Sequence, residues 1–153
     1  MEMQTNNKHY QQLAIMMALS FVAMYVLMYA MVNVFANVLS NFNQFYMAGL
    51  MTTPMVIIEL WVMNGMYHNK KLNMIITTVS ILALVLFWVG IRQQVGINDK
   101  QFLKSMIPHH ASAILMCEKA DIKDSGIKEL CRNIISGQQA EIDQMKAKLE
   151  ELK

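Results

Sequence analysis

The chain has 153 residues, room for one compact domain, with 13 basic and 11 acidic residues and a net charge of +2. Hydrophobic residues make up 55% of it, high for a soluble protein. No basic stripe suits a phosphate backbone, so nucleic acid is not an expected partner. The two cysteines, Cys117 and Cys131, are too few for a disulfide scaffold and lie outside any C-x-x-C pattern.

The average hides two different objects. Between Lys8 and Glu59 there is no Asp, Glu, Lys or Arg, whereas Asp99 to Lys153 contains eighteen. A division into residues 1–92 and residues 93–153 follows. The 16 methionines are a further excess.

A helix needs about 20 mostly apolar residues to span a bilayer. The first candidate runs from Leu13 to about Phe35. Its apolar run is longer than a signal-peptide core and no small-x-small cleavage site follows it, so a span is expected rather than a cleaved leader. The polar loop 40–44 precedes a second span, from about Phe45 to Tyr67. A tight connection, His68-Asn69-Lys70-Lys71, leads to a third span, from about Leu72 to Ile91. Lys8, Lys70 and Lys71 fall on one side of the bilayer, and the loop at 36–45 carries no positive charge. The positive-inside rule then places the N-terminus in the cytoplasm. Three spans send residues 93–153 to the periplasmic or outer side of a cytoplasmic membrane.

Glu59 is the one acid inside a span, where an ionisable group is costly. It reads either as an ion relay or as a helix-packing hydrogen bond. Met24, Met28 and Met31, then Met47, Met51 and Met55, recur at helical spacing. They read either as a thioether track for a soft metal or as flexible apolar filler.

The C-terminal part reads as two helices. The first runs from about Asp99 to Ala120, with Asn98 or Asp99 as N-cap. Pro108 removes a backbone donor within it, and a kink is expected. Residues 121–126 form a turn, and the second helix runs from about Ile127 to Leu152. At about 100° per residue, the first helix gathers Phe102, Met106, His109, His110, Ala113, Met116, Cys117 and Ala120 on one broad face. The second gathers Ile127, Leu130, Cys131, Ile134, Gln138, Glu141, Ile142, Met145 and Leu149. Polar residues interrupt both stripes, and buried polar groups need partners.

Folding the hairpin about Asp124 places residues level when their numbers sum to about 248. Cys117 then faces Cys131, His110 faces Gln138, and Met106 lies near Glu141, Ile142 and Met145. Thioether sulfur is soft and binds Cu(I), and imidazole binds copper and zinc. A carboxylate binds a metal directly or orients a His ring. The competing reading makes the same Met and His residues ordinary core. Cys117 and Cys131 are open to three readings: a disulfide, a soft-metal pair, or free thiols.

The run Phe102-Leu103-Lys104-Ser105-Met106-Ile107-Pro108-His109-His110, with Ala113-Ile114 and Met116, resembles the signature of the bacterial domain-of-unknown-function family 305. Gln138, Glu141, Ile142 and Met145 match its second half. The resemblance covers about residues 98–149, and Pro54 to Asn73 looks like the membrane part of three-span members. It implies an all-α, ferritin-like domain, with some members binding copper in the periplasm through Met and His. Carried over, Met106, His109, His110, Met116 and Met145 are implied ligands, and Gln138 and Glu141 are supporting motif residues. Soluble members often carry the two-helix unit twice. This chain has one, so the resemblance implies a half-bundle completed by a homodimer or larger oligomer, or by packing on the membrane part. The Trp common after the second motif is absent, and Lys146 to Leu149 stand there.

The leading expectation is a membrane-anchored protein that sequesters, buffers or hands on copper ions, with no catalytic step. A ferritin-like oxidase would use several Glu and Glu-x-x-His pairs, which this chain lacks. The alternative is a structural or partner-binding membrane protein whose His and Met are core.

Overall fold

The computed structural model describes residues 2–152, with side chains from Lys8 onward. It is all-α among the described residues. Five helices follow in order: α1 (Glu2–Leu27), α2 (Phe42–Val62), α3 (Lys70–Arg92), α4 (Asp99–Lys119) and α5 (Ser125–Glu151). Two short 3-10 turns, Met28–Met31 and Phe35–Asn37, lie between α1 and α2.

Three helical stretches are long and apolar enough to cross a membrane: Lys8–Met31, Phe42–Val62 and Lys70–Arg92. The first ends earlier than the apolar pattern suggests. After Leu27 the chain leaves the α-helix, although the sequence stays apolar to Phe35. Asparagine supplies the reason. Asn33 Oδ1 accepts from the Val34 N–H and from Asn37 Nδ2, both at 2.9 Å. Such short polar side chains offer the backbone an alternative to helical bonding.

The chain divides into two compact units. One comprises the residues up to Leu27 together with Phe45–Val95. The other comprises Met28–Gln44 and Gly96–Lys153. The segment 28–44 therefore belongs with the C-terminal helices, whereas a single cut after residue 92 assigns it to the apolar part.

In the first unit, close approach is built on small residues. Phe45 packs edge-on against Phe21 and Phe87, with ring centroids 5.2 and 6.0 Å away. Gly49 leaves the space that the Phe87 ring fills, and a Cβ there would overlap the ring. Small residues that admit a neighbour in this way are a common device between apolar helices. Leu13, Val56, Leu60 and Tyr67 form a buried cluster nearby. Glu59 accepts a long hydrogen bond, 3.4 Å, from the Tyr67 hydroxyl. The Tyr67 ring lies 5.2 Å from that of Tyr10, whose hydroxyl donates to Asn73 Oδ1 at 2.5 Å. Glu59 is thus part of a packing network. Met31, Met47 and Met51 are exposed, so these apolar side chains face outward.

The second unit is built on the α4–α5 hairpin. Asn98 caps α4 by accepting from the Gln101 N–H, and Asp124 caps α5 by accepting from the Ile127 N–H. Either bond satisfies one of the free donors at a helix start. The turn is shorter than the sequence suggests, because the Asp124 cap starts α5 at Ser125. α4 continues through Pro108 as one helix.

Stability should respond oppositely at two glycines. Gly49→Ala drives a methyl group against Phe87 and should cost about 1–3 kcal/mol. Gly137 sits within α5 with open space around it, and Gly137→Ala should stabilise by roughly 1 kcal/mol or less. Thermal melts of the detergent-solubilised protein check both, and Phe87→Leu added to Gly49→Ala should recover most of that loss.

Candidate functional site

The hairpin seam is apolar. Ile107, Ala111 and Ile114 of α4 and Ile142 of α5 are fully or almost fully buried, and Ile135, Met145 and Leu149 pack around them. Val32 and Leu39, from the segment before α2, pack on the same cluster. Polar bonds hold that segment too. The Phe42 N–H donates to Gln101 Oε1 at 3.1 Å, and Asn43 Nδ2 donates to Ser105 Oγ at 3.3 Å.

This second cover changes which face of α4 is inside. The sequence pattern gathers Phe102, Met106, His109, His110, Ala113, Met116, Cys117 and Ala120 on one face. In the structure His110 is buried and Met106, Ala113 and Cys117 are half-buried, but Phe102, His109, Met116 and Ala120 are exposed, and the buried line runs through Ile107, Ala111 and Ile114. Apolar residues stand on nearly every side of α4, so periodicity alone does not single out the inner one. The face of α5 is closer to expectation. Ile142 is buried and Cys131, Ile134, Gln138, Met145 and Leu149 are half-buried, but Ile127, Leu130 and Glu141 are exposed.

One polar group sits in this seam. His110 is 9% exposed. Its Nε2 is 2.7 Å from Glu141 Oε2, and its Nδ1 is 2.9 Å from the Met106 carbonyl oxygen. Both partners are acceptors. Each ring nitrogen thus has an oxygen within hydrogen-bond distance. The Glu141 side chain remains 56% exposed, which leaves its other oxygen to solvent.

Level-matching about Asp124 places His110 opposite Gln138, one turn short of its partner. The geometry of Cβ explains the offset. Helical side chains lean toward their own N-terminus. In an antiparallel hairpin His110 leans away from the turn and Glu141 leans toward it, so the two meet between their backbone levels. Met106 and Gln138 are half-buried, one turn from His110 and Glu141 respectively. Met145 is half-buried one turn beyond Glu141, where an open groove is lined by Leu103, Gln144, Met145 and Lys148 among others. The His109 ring centroid lies 6.1 Å from that of His110. Met116 lies on the exposed surface, two turns along α4 from His109.

Among the described residues, no three His, Cys, Asp or Glu side chains converge on one point. The donors near His110 are instead mixed: imidazole, carboxylate and thioether. Sequence reasoning did not foresee the role of the Met106 carbonyl, because any helical histidine has a carbonyl four residues back.

The family model described as a domain of unknown function, DUF305, matches residues 62–149. The chain belongs to that family. An uncharacterized protein of Acanthamoeba polyphaga mimivirus is 39% identical over 115 residues, which is 74% of each chain. No solved structure matches the chain. The DUF305 match takes in α3 as well as the hairpin, so it extends beyond the His and Met motif of α4 and its partner motif in α5.

At the turn end of the hairpin, Cys117 and Cys131 are half-buried free thiols on the two facing helices. The influence of Cys131, with burial, holds the Cys117 thiol above its ordinary range.

The His110–Glu141 contact should be measurable as a coupling. Glu141→Ala removes the partner of a buried imidazole nitrogen and should destabilise by about 1 kcal/mol, moderated by solvent at the carboxylate. With His110→Leu the two effects should be non-additive in a double-mutant cycle. Denaturant unfolding of the four proteins reads the coupling directly.

Proposed function

We propose that this chain is a bilayer-anchored copper-binding protein that buffers or hands on the metal through its C-terminal hairpin. The observation that carries the reading is the placement of His110 in an apolar seam against the solvent-facing Glu141, with Met106 one turn from His110 and Met145 one turn from Glu141. A buried imidazole is costly unless its nitrogens have partners or a use. The thioethers of Met106 and Met145 are soft donors that suit Cu(I), and imidazole binds copper in either oxidation state. His109 adds an exposed imidazole beside the pair, and Met116 an outer thioether.

The chemistry at His110 follows from its contacts. With both nitrogens occupied by acceptors, a metal at Nε2 has to take the place held by Glu141, and a proton has to leave. Copper uptake is therefore an exchange: metal in, proton out, carboxylate released to solvent or to the metal. The groove beside Met145 offers a route to the thioether.

The three apolar helices anchor the hairpin in this reading, and the clustering of Lys8, Lys70 and Lys71 supports an extracytoplasmic position for it by the positive-inside rule. The exposed Phe102, Met116, Ile127 and Leu130 leave apolar surface that a second copy would cover, in keeping with a bundle completed by association. The alternative, in which His110 and Glu141 serve only as a core pair of a partner-binding protein, draws on the same double contact.

Anaerobic Cu(I) titration of the full-length protein in detergent, against a competing chelator, separates the readings. Wild type should compete for Cu(I) and release protons on loading. The His109→Ala/His110→Ala protein should lose at least ten-fold in affinity, and Met106→Leu/Met145→Leu should lose a comparable factor. Equal affinity in all three proteins would leave the core-pair reading standing.

A further inference from the structure

We propose that α3 carries a binding site for an anionic phospholipid, with the headgroup held by Lys70 and Lys71 and an acyl chain laid in the groove beyond them. The inference rests on the reading that the three apolar helices span a bilayer, and not on copper binding. It concerns the first unit alone.

The groove lies on one face of α3. Met74, Ile75, Thr78 and Val79 line it, and its volume is about 270 Å³. Met74, Ile75 and Val79 are all exposed, so this chain leaves their apolar surface uncovered. Lys70 stands one turn before Met74, and Lys71 one turn before Ile75. Residues four apart are neighbours on a helix surface, so the two lysines stand at the groove's end nearer the helix start. Helical side chains lean toward that start, and Met74 and Ile75 thus carry the apolar surface up to the lysines.

Charge decides the occupant. Lys70 and Lys71 open α3, whose first turn has no acidic residue. Cations are disfavoured at a helix start, the positive end of its dipole. A third lysine is brought to the same end. The Tyr10 hydroxyl donates to Asn73 Oδ1 at 2.5 Å and lies 3.4 Å from the Asn69 carbonyl oxygen, and Lys8 stands two residues before Tyr10 on α1. All three lysines are exposed. Among the described residues none of them is in an ion pair. Glu59 is the one carboxylate among the described side chains of this unit, and it accepts from Tyr67 instead. Like charges gathered without a counter-charge repel one another, and an anion among them relieves the repulsion. A free anion would satisfy the lysines and leave the groove bare. A lipid with no net charge would fill the groove and leave the lysines unneutralised. A phospholipid of net negative charge does both, and the cytoplasmic leaflet, where the positive-inside rule puts this end, is the anionic one.

The test uses the full-length protein in a mild detergent, exchanged with phosphatidylglycerol or phosphatidylcholine of the same chain length and weighed by native mass spectrometry. Wild type should retain phosphatidylglycerol roughly ten-fold better. Lys70→Gln/Lys71→Gln should bring the two lipids near parity. Lys119→Gln/Lys128→Gln, which removes the same charge from the hairpin, should leave the preference intact. Thr78→Trp, which fills the groove, should lower retention of both lipids. Equal retention of the two lipids by wild type would overturn the proposal, as would an unchanged preference in Lys70→Gln/Lys71→Gln. Inorganic phosphate that displaces phosphatidylglycerol as well as excess lipid does would mark a free-anion site and overturn it too. Alkaline carbonate washing of membranes tests the spanning reading separately. Release of wild type would sink both ideas, whereas firm retention in the membrane without lipid preference would sink the lipid site alone.

Discussion

The C-terminal unit depends on one polar contact in an apolar seam. Ile107, Ala111, Ile114 and Ile142 bury well, but aliphatic side chains tolerate sliding. A hydrogen-bonded pair does not. His110 Nε2 has its one partner at 2.7 Å in Glu141, and a slip of one turn in either helix would strand the imidazole. In the same register Met145 packs beside the buried cluster, and Cys117 and Cys131 stand half-buried on the facing helices nearer the turn.

The second dependence is on the segment 28–44. It follows α1 through a 3-10 turn at Met28–Met31, and beyond it the Asn33 side chain bonds locally to Val34 and Asn37. Its Val32 and Leu39 then reach the seam. The Tyr29 hydroxyl donates to the Leu39 carbonyl at 2.9 Å, which holds the two ends of the excursion together. A helix covered on two sides buries a wide face, and α4 does so: Ile107, Pro108, His110, Ala111 and Ile114 are all inside.

What could be read in advance divides along physical lines. Long apolar runs bounded by charge or asparagine are local signals, so α3 emerges close to its bounds, whereas α2 starts and ends a few residues earlier than the apolar run suggests. Caps are local too, and Asn98 was among the two readings for α4. The inner face of α4 is different. It depends on a segment more than 60 residues earlier in the chain, and no periodicity within α4 reports that. The exposure of His109 and Met116 follows from the same cause, as does the burial of Ile107 beside them. The sum rule missed the partner of His110 by one turn because it counts backbone levels, whereas side chains lean.

The same contact that fixes the register also sets terms for metal chemistry. A histidine ligand needs a bare nitrogen, and its other nitrogen is usually held by a carbonyl or carboxylate. His110 already has the second feature, through Nδ1 and the Met106 carbonyl at 2.9 Å. Under the proposed function, Glu141 stands where a metal would meet His110. Its side chain is more than half exposed, so it could swing into water at little cost, while the imidazole stays oriented from behind. The group to be displaced would then be the solvated one and the group to be kept the buried one. Loss of the Glu141 contact would relax the register, and a thioether–imidazole–metal link between α4 and α5 would restore it. On this reading the metal takes over the structural role of the carboxylate, and the fold need not change to accept it.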